Sequence, residues 1–257
     1  MNDDETISYL INSGSGISRI GNSELAYLVG HTIRTQKQSL DARRKLATVL
    51  RDYKTPSKNG SSFVLGAPID LALGNDMYGR GSEMKYWKGT SRFALIPVLN
   101  HRELYASAHA FRVKEIVSIF SLEEYVRKML QLFSSGEVIY VGPNDLVSNF
   151  LAVEHYVEIP SSQSFSEYEK IRGLVEGFAG RLPSPIILIT AGVMGTVLAA
   201  ELNERGFRAL DVGQVFRHLQ ELGFGRDIVF AEKRVPGESE NSYLVCVHAR
   251  GPATCPG

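Results

Sequence analysis

The stretch from Ile186 to Gly213 carries the densest chemical signal in the chain. Ile186-Ile-Leu-Ile189 is a continuous apolar run, the pattern of a strand buried on both faces of a parallel sheet. Thr190-Ala-Gly-Val-Met-Gly-Thr196 comes next, and its Gly192 and Gly195 permit a tight turn and close approach of backbone to a ligand. A helical pattern from about Val193 to Arg205 would then open with unpaired N–H groups and the positive end of its dipole. That combination suits a phosphate or diphosphate. Gly206 stops the helix, and Phe207 to Leu210 re-enters the sheet, so Asp211 falls near a strand's carboxyl end. Open α/β sheets bind ligands at that edge. A βαβ unit with no ligand needs the same small residues, so this segment alone leaves phosphate binding and plain structure both open.

The elements that position this turn read as an alternation. Short helices are expected at Thr6 to Asn12 and after Gly21-Asn-Ser-Glu24, with Ser23 as N-cap, and a brief strand at Ile17 to Ile20. A helix is expected over Gln38 to Asp52 and a buried strand over Phe63 to Gly66. Gly74 to Gly89 reads as a loop, Leu95 to Leu99 stays unassigned, and Ser107 to Arg112 starts a strand or a site loop. Ser121 and Glu124 match a capping box for a helix reaching Phe133. Glu137 to Val141 is a buried strand, succeeded by a turn at Gly142-Pro-Asn-Asp145 and a helix to about Ala152. Tyr156 to Ile159 is a strand and Phe165 to Leu182 a helix. Asp227 to Lys233 and Ser242 to Val247 are expected as an antiparallel pair at the sheet edge. The fold class is α/β, Rossmann-like, with a mainly parallel sheet flanked by helices on both faces.

Composition narrows the function classes. The chain has 257 residues, read as one domain over 1–257 with a frayed tail from about 250. Lys plus Arg equals Asp plus Glu at 28 each, which argues against bulk attraction to nucleic acid or anionic lipid. Cys246 and Cys255 make neither a disulfide framework nor a zinc site, so a reduced, cytoplasmic setting is expected. The longest apolar stretch, Pro185 to Ala200, is too short and too glycine-rich for a membrane span. A dinucleotide-binding oxidoreductase is one alternative: Gly192-x-x-Gly195 with Asp211 nineteen residues after Gly192 imitates part of the G-x-G-x-x-G fingerprint. Its first glycine would fall at Thr190, and too few residues remain to complete that fold.

Several segments, taken in order, resemble the GT-D-type glycosyltransferases, a bacterial family that uses sugar nucleotides. Arg19-Ile-Gly-Asn-Ser-Glu-Leu25 is similar to R-F-G-D-G-E-L, and Ala108-His-Ala-Phe-Arg112 to a family segment ending in arginine. Ile159-Pro-Ser-Ser-Gln-Ser-Phe165 is similar to I-x-P-S-x-N-A-F. Ala191-Gly-Val-Met-Gly-Thr-Val-Leu-Ala199 and Ala209-Leu-Asp-Val-Gly213 are similar to L-G-P-T-A-T-V-L-A and A-L-D-I-G-H. The resemblance implies a nucleotide-diphosphate-sugar donor, in particular a UDP-sugar, a divalent metal (Mn or Mg) and a glycan or glycopeptide hydroxyl as acceptor.

It also implies roles. Glu24 and Asp211 would be catalytic; Arg19, Gly21, Arg112, Gly192, Gly195 and Thr196 would bind the donor; Asn22, Glu24 and Gln214 would ligate metal. Two positions depart from the pattern, because Asn22 replaces the aspartate of the D-x-E motif and Gln214 the histidine of D-I-G-H. A noncatalytic sugar-nucleotide-binding or assembly protein is therefore the second alternative. Each residue also has a structural use. Glu24 complements a helix dipole, Asp211 caps a turn, and Arg112 sits on a surface. Arg19 would be costly to bury unpaired, so Glu24 or a phosphate is expected beside it. Glu201 and Glu204 are expected in solvent.

Overall fold

The computed structural model describes residues 1–33, 36–53, 63–67, 103–113, 122–224, 229–234 and 243–248. Among the described residues, seven strands form one parallel sheet: β1 (Gly16–Arg19), β2 (Phe63–Ala67), β3 (Tyr105–Ser107), β4 (Glu137–Gly142), β5 (His155–Glu158), β6 (Pro185–Ile189) and β7 (Arg208–Asp211). Their spatial order is β3-β2-β1-β7-β6-β4-β5. From β1 the chain steps outward to β2 and β3, then crosses over and works back to β7. The crevice between β1 and β7 is thus the point where strand order reverses, the place such sheets hold ligands.

Residue alternation along the strands builds two cores. Ile187 and Ile189 of β6, with Ile139 and Val141 of β4, pack on one face; Ile186, Leu188, Val138 and Tyr140 pack on the other. The first face is covered by α3 (Leu40–Asp52), α5 (Tyr168–Ala179) and α6 (Val193–Glu204), through Leu46, Val175 and Leu198 among others. The second is covered by α1 (Asp3–Ser13), α4 (Leu122–Phe133) and α7 (Val215–Glu221), through Leu10, Met129 and Phe216. The helix α2 (Asn22–Leu28) comes directly after β1.

Helix α6 is buried along nearly its whole length, from Val193 through Ala200 and again at Leu202 and Asn203. A helix apolar all round belongs inside a molecule, and this one lies under β1 and β7 with α3 against its far side. Asn203 ties it to the sheet. Its amide nitrogen donates to the carbonyls of Ala199 and Ala209 at 2.7 and 2.8 Å, and its oxygen accepts from the Ala209 amide at 3.1 Å.

Some sequence expectations need correction. Gly21, not Ser23, is the N-cap of α2, and Glu24 reaches back to accept from the Gly21 amide at 2.9 Å. No α-helix connects β4 to β5; a single 3-10 turn, Val147–Asn149, makes the connection. The segment after β5 begins as a 3-10 turn at Ser164–Glu167 before α5. Strands β8 (Val229–Arg234) and β9 (Tyr243–His248) do pair antiparallel, but with each other in a separate sheet. Glu201 is not solvated: it takes ion pairs from Lys45 and Arg172, both at 3.0 Å. The expectations for Gly74 to Gly89, Leu95 to Leu99, the Ser121 cap and the tail lie outside the described residues.

Candidate active site

Three strand ends and the start of α6 meet at the β1–β7 crevice. Arg19 is the last residue of β1, Asp211 the last of β7, and Ala108 comes just after β3. Arg19 Nε donates to the Asp211 carbonyl at 2.5 Å, Nη1 to the Ala108 carbonyl at 2.8 Å, and Nη2 to Asp211 Oδ1 at 3.4 Å. Its guanidinium lies 5.4 Å from the Phe111 ring centroid. A buried arginine therefore does have a partner, but the partner is Asp211, distant in sequence, where Glu24 or a phosphate was expected.

Asp211 is itself held from several sides. The Gly213 amide donates to Oδ1 at 3.3 Å, and the Thr196 hydroxyl lies 3.3 Å from Oδ2. That hydroxyl also donates to the Arg19 carbonyl at 2.8 Å, and Ser18 Oγ donates to the Thr196 carbonyl at 2.8 Å. Thr196 is fully buried, so its hydroxyl ties the first turn of α6 to both strand ends.

Glu24 stands in the same crevice. Burial pushes its carboxyl pKa up, and the Asp211 charge pushes it further; amide hydrogen bonds and the Arg19 charge oppose the rise. Burial also raises Asp211, against the pull of Arg19. Gly21 and Arg112 join this group: a Cβ built on Gly21 would lie 3.0 Å from Glu24 Oε2 and 3.9 Å from Arg112 Nη2. Arg112 arrives on the turn after β3, whose backbone closes through its amide to the His109 carbonyl at 2.7 Å.

The glycine turn opens on the same edge. Gly192 adopts φ 54°, ψ −137°, a conformation closed to side-chain-bearing residues, and no side chain caps the helix it starts. Gly192 is exposed, and Val193, Met194 and Gly195 directly behind it are buried. Gly195 lies one turn in, where a Cβ would come within 3.2 Å of Ile189 Cγ2 and 3.7 Å of Asp211 Oδ1. The geometry therefore gathers Arg19, Gly21, Glu24, Arg112, Gly192, Gly195, Thr196 and Asp211 at one edge.

The expected metal ligands are less closely drawn. Gln214 is exposed at the start of α7, and the side chain of Asn22 lies outside the described residues. Among the described residues no group of three His, Cys, Asp or Glu side chains could hold an ion. The oxygens of Asp211 are already engaged, which leaves Glu24 as the charged donor. Such a set fits an ion carried in on diphosphate oxygens, not one caged in advance. Ser18, Phe111 and Gly213 were not singled out from the sequence. The cue for Gly213 was its place two residues beyond Asp211, within the segment similar to A-L-D-I-G-H.

Among the described residues no helix is long and apolar enough to cross a membrane. A probable glycosyl transferase of Streptococcus gordonii is 23% identical over 82% of this chain and 31% of its own length. The glycosyltransferase GlyD of Streptococcus pneumoniae serotype 4 is 24% identical over 94% of this chain and 31% of its own. The chain thus spans about 31% of the length of these curated relatives. A solved glycosyltransferase from Streptococcus sanguinis superposes with a TM-score of 0.71 at 17% identity, covering 92% of this chain and 90% of that one. A solved domain described as having a distinct glycosyltransferase fold superposes at 0.70 with 20% identity, covering 92% and 86%. These likenesses give no support to the dinucleotide oxidoreductase alternative. The family model for the glycosyltransferase GT-D fold matches residues 17–222, from β1 to the end of α7, and this chain belongs to that family.

Proposed function

We propose that this chain transfers a sugar from a nucleotide-diphosphate donor, a UDP-sugar, to a hydroxyl of a glycan or glycopeptide acceptor. The observation that carries the proposal is the start of α6, uncapped by any side chain and led by the exposed Gly192, beside two buried carboxylates at the β1–β7 crevice. Breaking the bond between sugar and diphosphate builds negative charge on the leaving group. The amides of the Gly192 turn and the Arg112 guanidinium would stabilise that charge. Burial raises the pKa of Glu24, so its carboxylate is a stronger base than one in water, suited to accept the proton of the attacking hydroxyl. Asp211 acts by holding Arg19 and Thr196. A manganese or magnesium ion, held by Gln214 and the donor's own phosphates, would supply further charge neutralisation; with Glu24 as a third ligand, that carboxylate would serve the metal instead of acting as base.

Calorimetric titration with UDP, with and without manganese, tests the donor class. UDP is expected to bind saturably, and manganese to bind tightly in the presence of UDP but weakly without it. Absence of saturable binding by any nucleoside diphosphate would refute the proposal. Glu24→Gln is expected to reduce turnover by about 10²–10⁴-fold while leaving UDP affinity within a few-fold.

A further inference from the structure

Gly213 sits just past β7 at φ 57°. A Cβ built there would lie 2.1 Å from Arg19 Nη2. The far end of an arginine ordinarily swings aside at little cost, but this one is pinned. Its three nitrogens donate to two backbone carbonyls and to the Asp211 carboxylate, and its side chain is 11% exposed. Moving Nη2 by the required distance breaks the link to Asp211 and withdraws the guanidinium from Phe111.

We infer that Gly213 and Arg19 form one positioning device for glycosyl transfer. The bare α-carbon of Gly213 admits the guanidinium to the slot from which it locks the ends of β1, β3 and β7 together and sets Asp211 beside Glu24. Arg19 in this arrangement acts through Asp211 and does not clamp the diphosphate. The kinetic consequence rests on the glycosyltransferase proposal; the geometric one does not.

The test is a double-mutant cycle with a spectroscopic arm. Gly213→Asn keeps a residue that tolerates positive φ while adding the Cβ. It is expected to lower kcat for the UDP-sugar by about 100-fold, the scale of a misplacement near 1 Å, with little change in donor KM. Arg19→Met is expected to cost as much, and the double variant no more than Arg19→Met alone, since nothing is left to displace. In ¹⁵N NMR the Arg19 Nε–H is expected to be protected from exchange in the wild type and unprotected in Gly213→Asn.

Additive losses, a rise in donor KM as the main effect, or a protected Nε–H in Gly213→Asn would overturn the inference. If Gly213→Asn loses its cooperative melt, folding regained on adding Arg19→Met supports the clash, and folding not regained overturns it. Wild-type protein that turns over no nucleotide-sugar removes the glycosyltransferase proposal, while the NMR arm still decides the lock.

Discussion

Glu24 is kept in a protonation balance that a glutamate in water does not have. Its folded-state pKa is raised by burial and by Asp211, so ionising it costs the folded state free energy. Linkage sets the sign. Below the ordinary glutamate range the carboxyl is neutral in both states and costs nothing. As pH climbs from that range through the raised pKa, the wild type loses stability that Glu24→Gln keeps. Urea denaturation across pH 4–8 is expected to show Glu24→Gln as the more stable protein at neutral pH, with the gap closing in acid. Burial raises the Asp211 pKa as well, but Asp211→Ala acts through lost pairing. It strips a buried arginine of its counter-charge and is expected to destabilise by about 3–5 kcal/mol in the same measurement. The need of Arg19 for a partner was legible from its place in an apolar strand. The partner's identity was not, because 192 residues separate the two and spacing carries no information over that distance.

The strand–turn–helix unit at β6 and α6 was readable because three signals agreed: a four-residue apolar run, a glycine turn and a glycine stop. The connection after β4 was misread because turn residues there announce a departure from the strand without specifying the next element. Asn203 went unnoticed for a related reason: a polar residue in an apolar helix looks the same on paper whether it faces solvent or stitches two elements. Here it satisfies both backbone groups of Ala209 and leaves no room beside Gly16, where a Cβ would lie 1.9 Å from Asn203 Oδ1. Asn203→Leu is expected to cost about 1–3 kcal/mol in thermal or urea unfolding, the scale of polar groups buried unpaired. Its effect on donor binding at a temperature well below the melt should be small, since Asn203 lies at the opposite end of α6 from the glycine turn.

Across the molecule, two sets of carboxylates respond to pH in opposite directions. Burial pushes Glu201 up, but hydrogen bonds and charge from Lys45 and Arg172 outweigh it and bring its pKa below the ordinary value. The stability Glu201 contributes is therefore present above the unfolded glutamate range and is lost as pH falls through the lowered folded value. Glu201→Gln is expected to destabilise by about 1 kcal/mol at neutral pH, less at high salt and nearly nothing in strong acid. Measured by urea titration, it should mirror Glu24→Gln: one carboxylate belongs to the scaffold's ion-pair face, the other to the crevice. The all-parallel sheet was legible as a class, while its order was not, since no local pattern reports which strands become neighbours. That order has a consequence for synthesis. Strand β1 is made before the other six strands, yet its inner neighbour β7 is the last of the seven, with Ile17 matched to Leu210. Every nascent chain that stops short of Asp211 carries an unclosed strand edge and no finished crevice. Chaperone dependence and misassembly should therefore concentrate in that interval of translation and fall away once the Asp211 segment emerges.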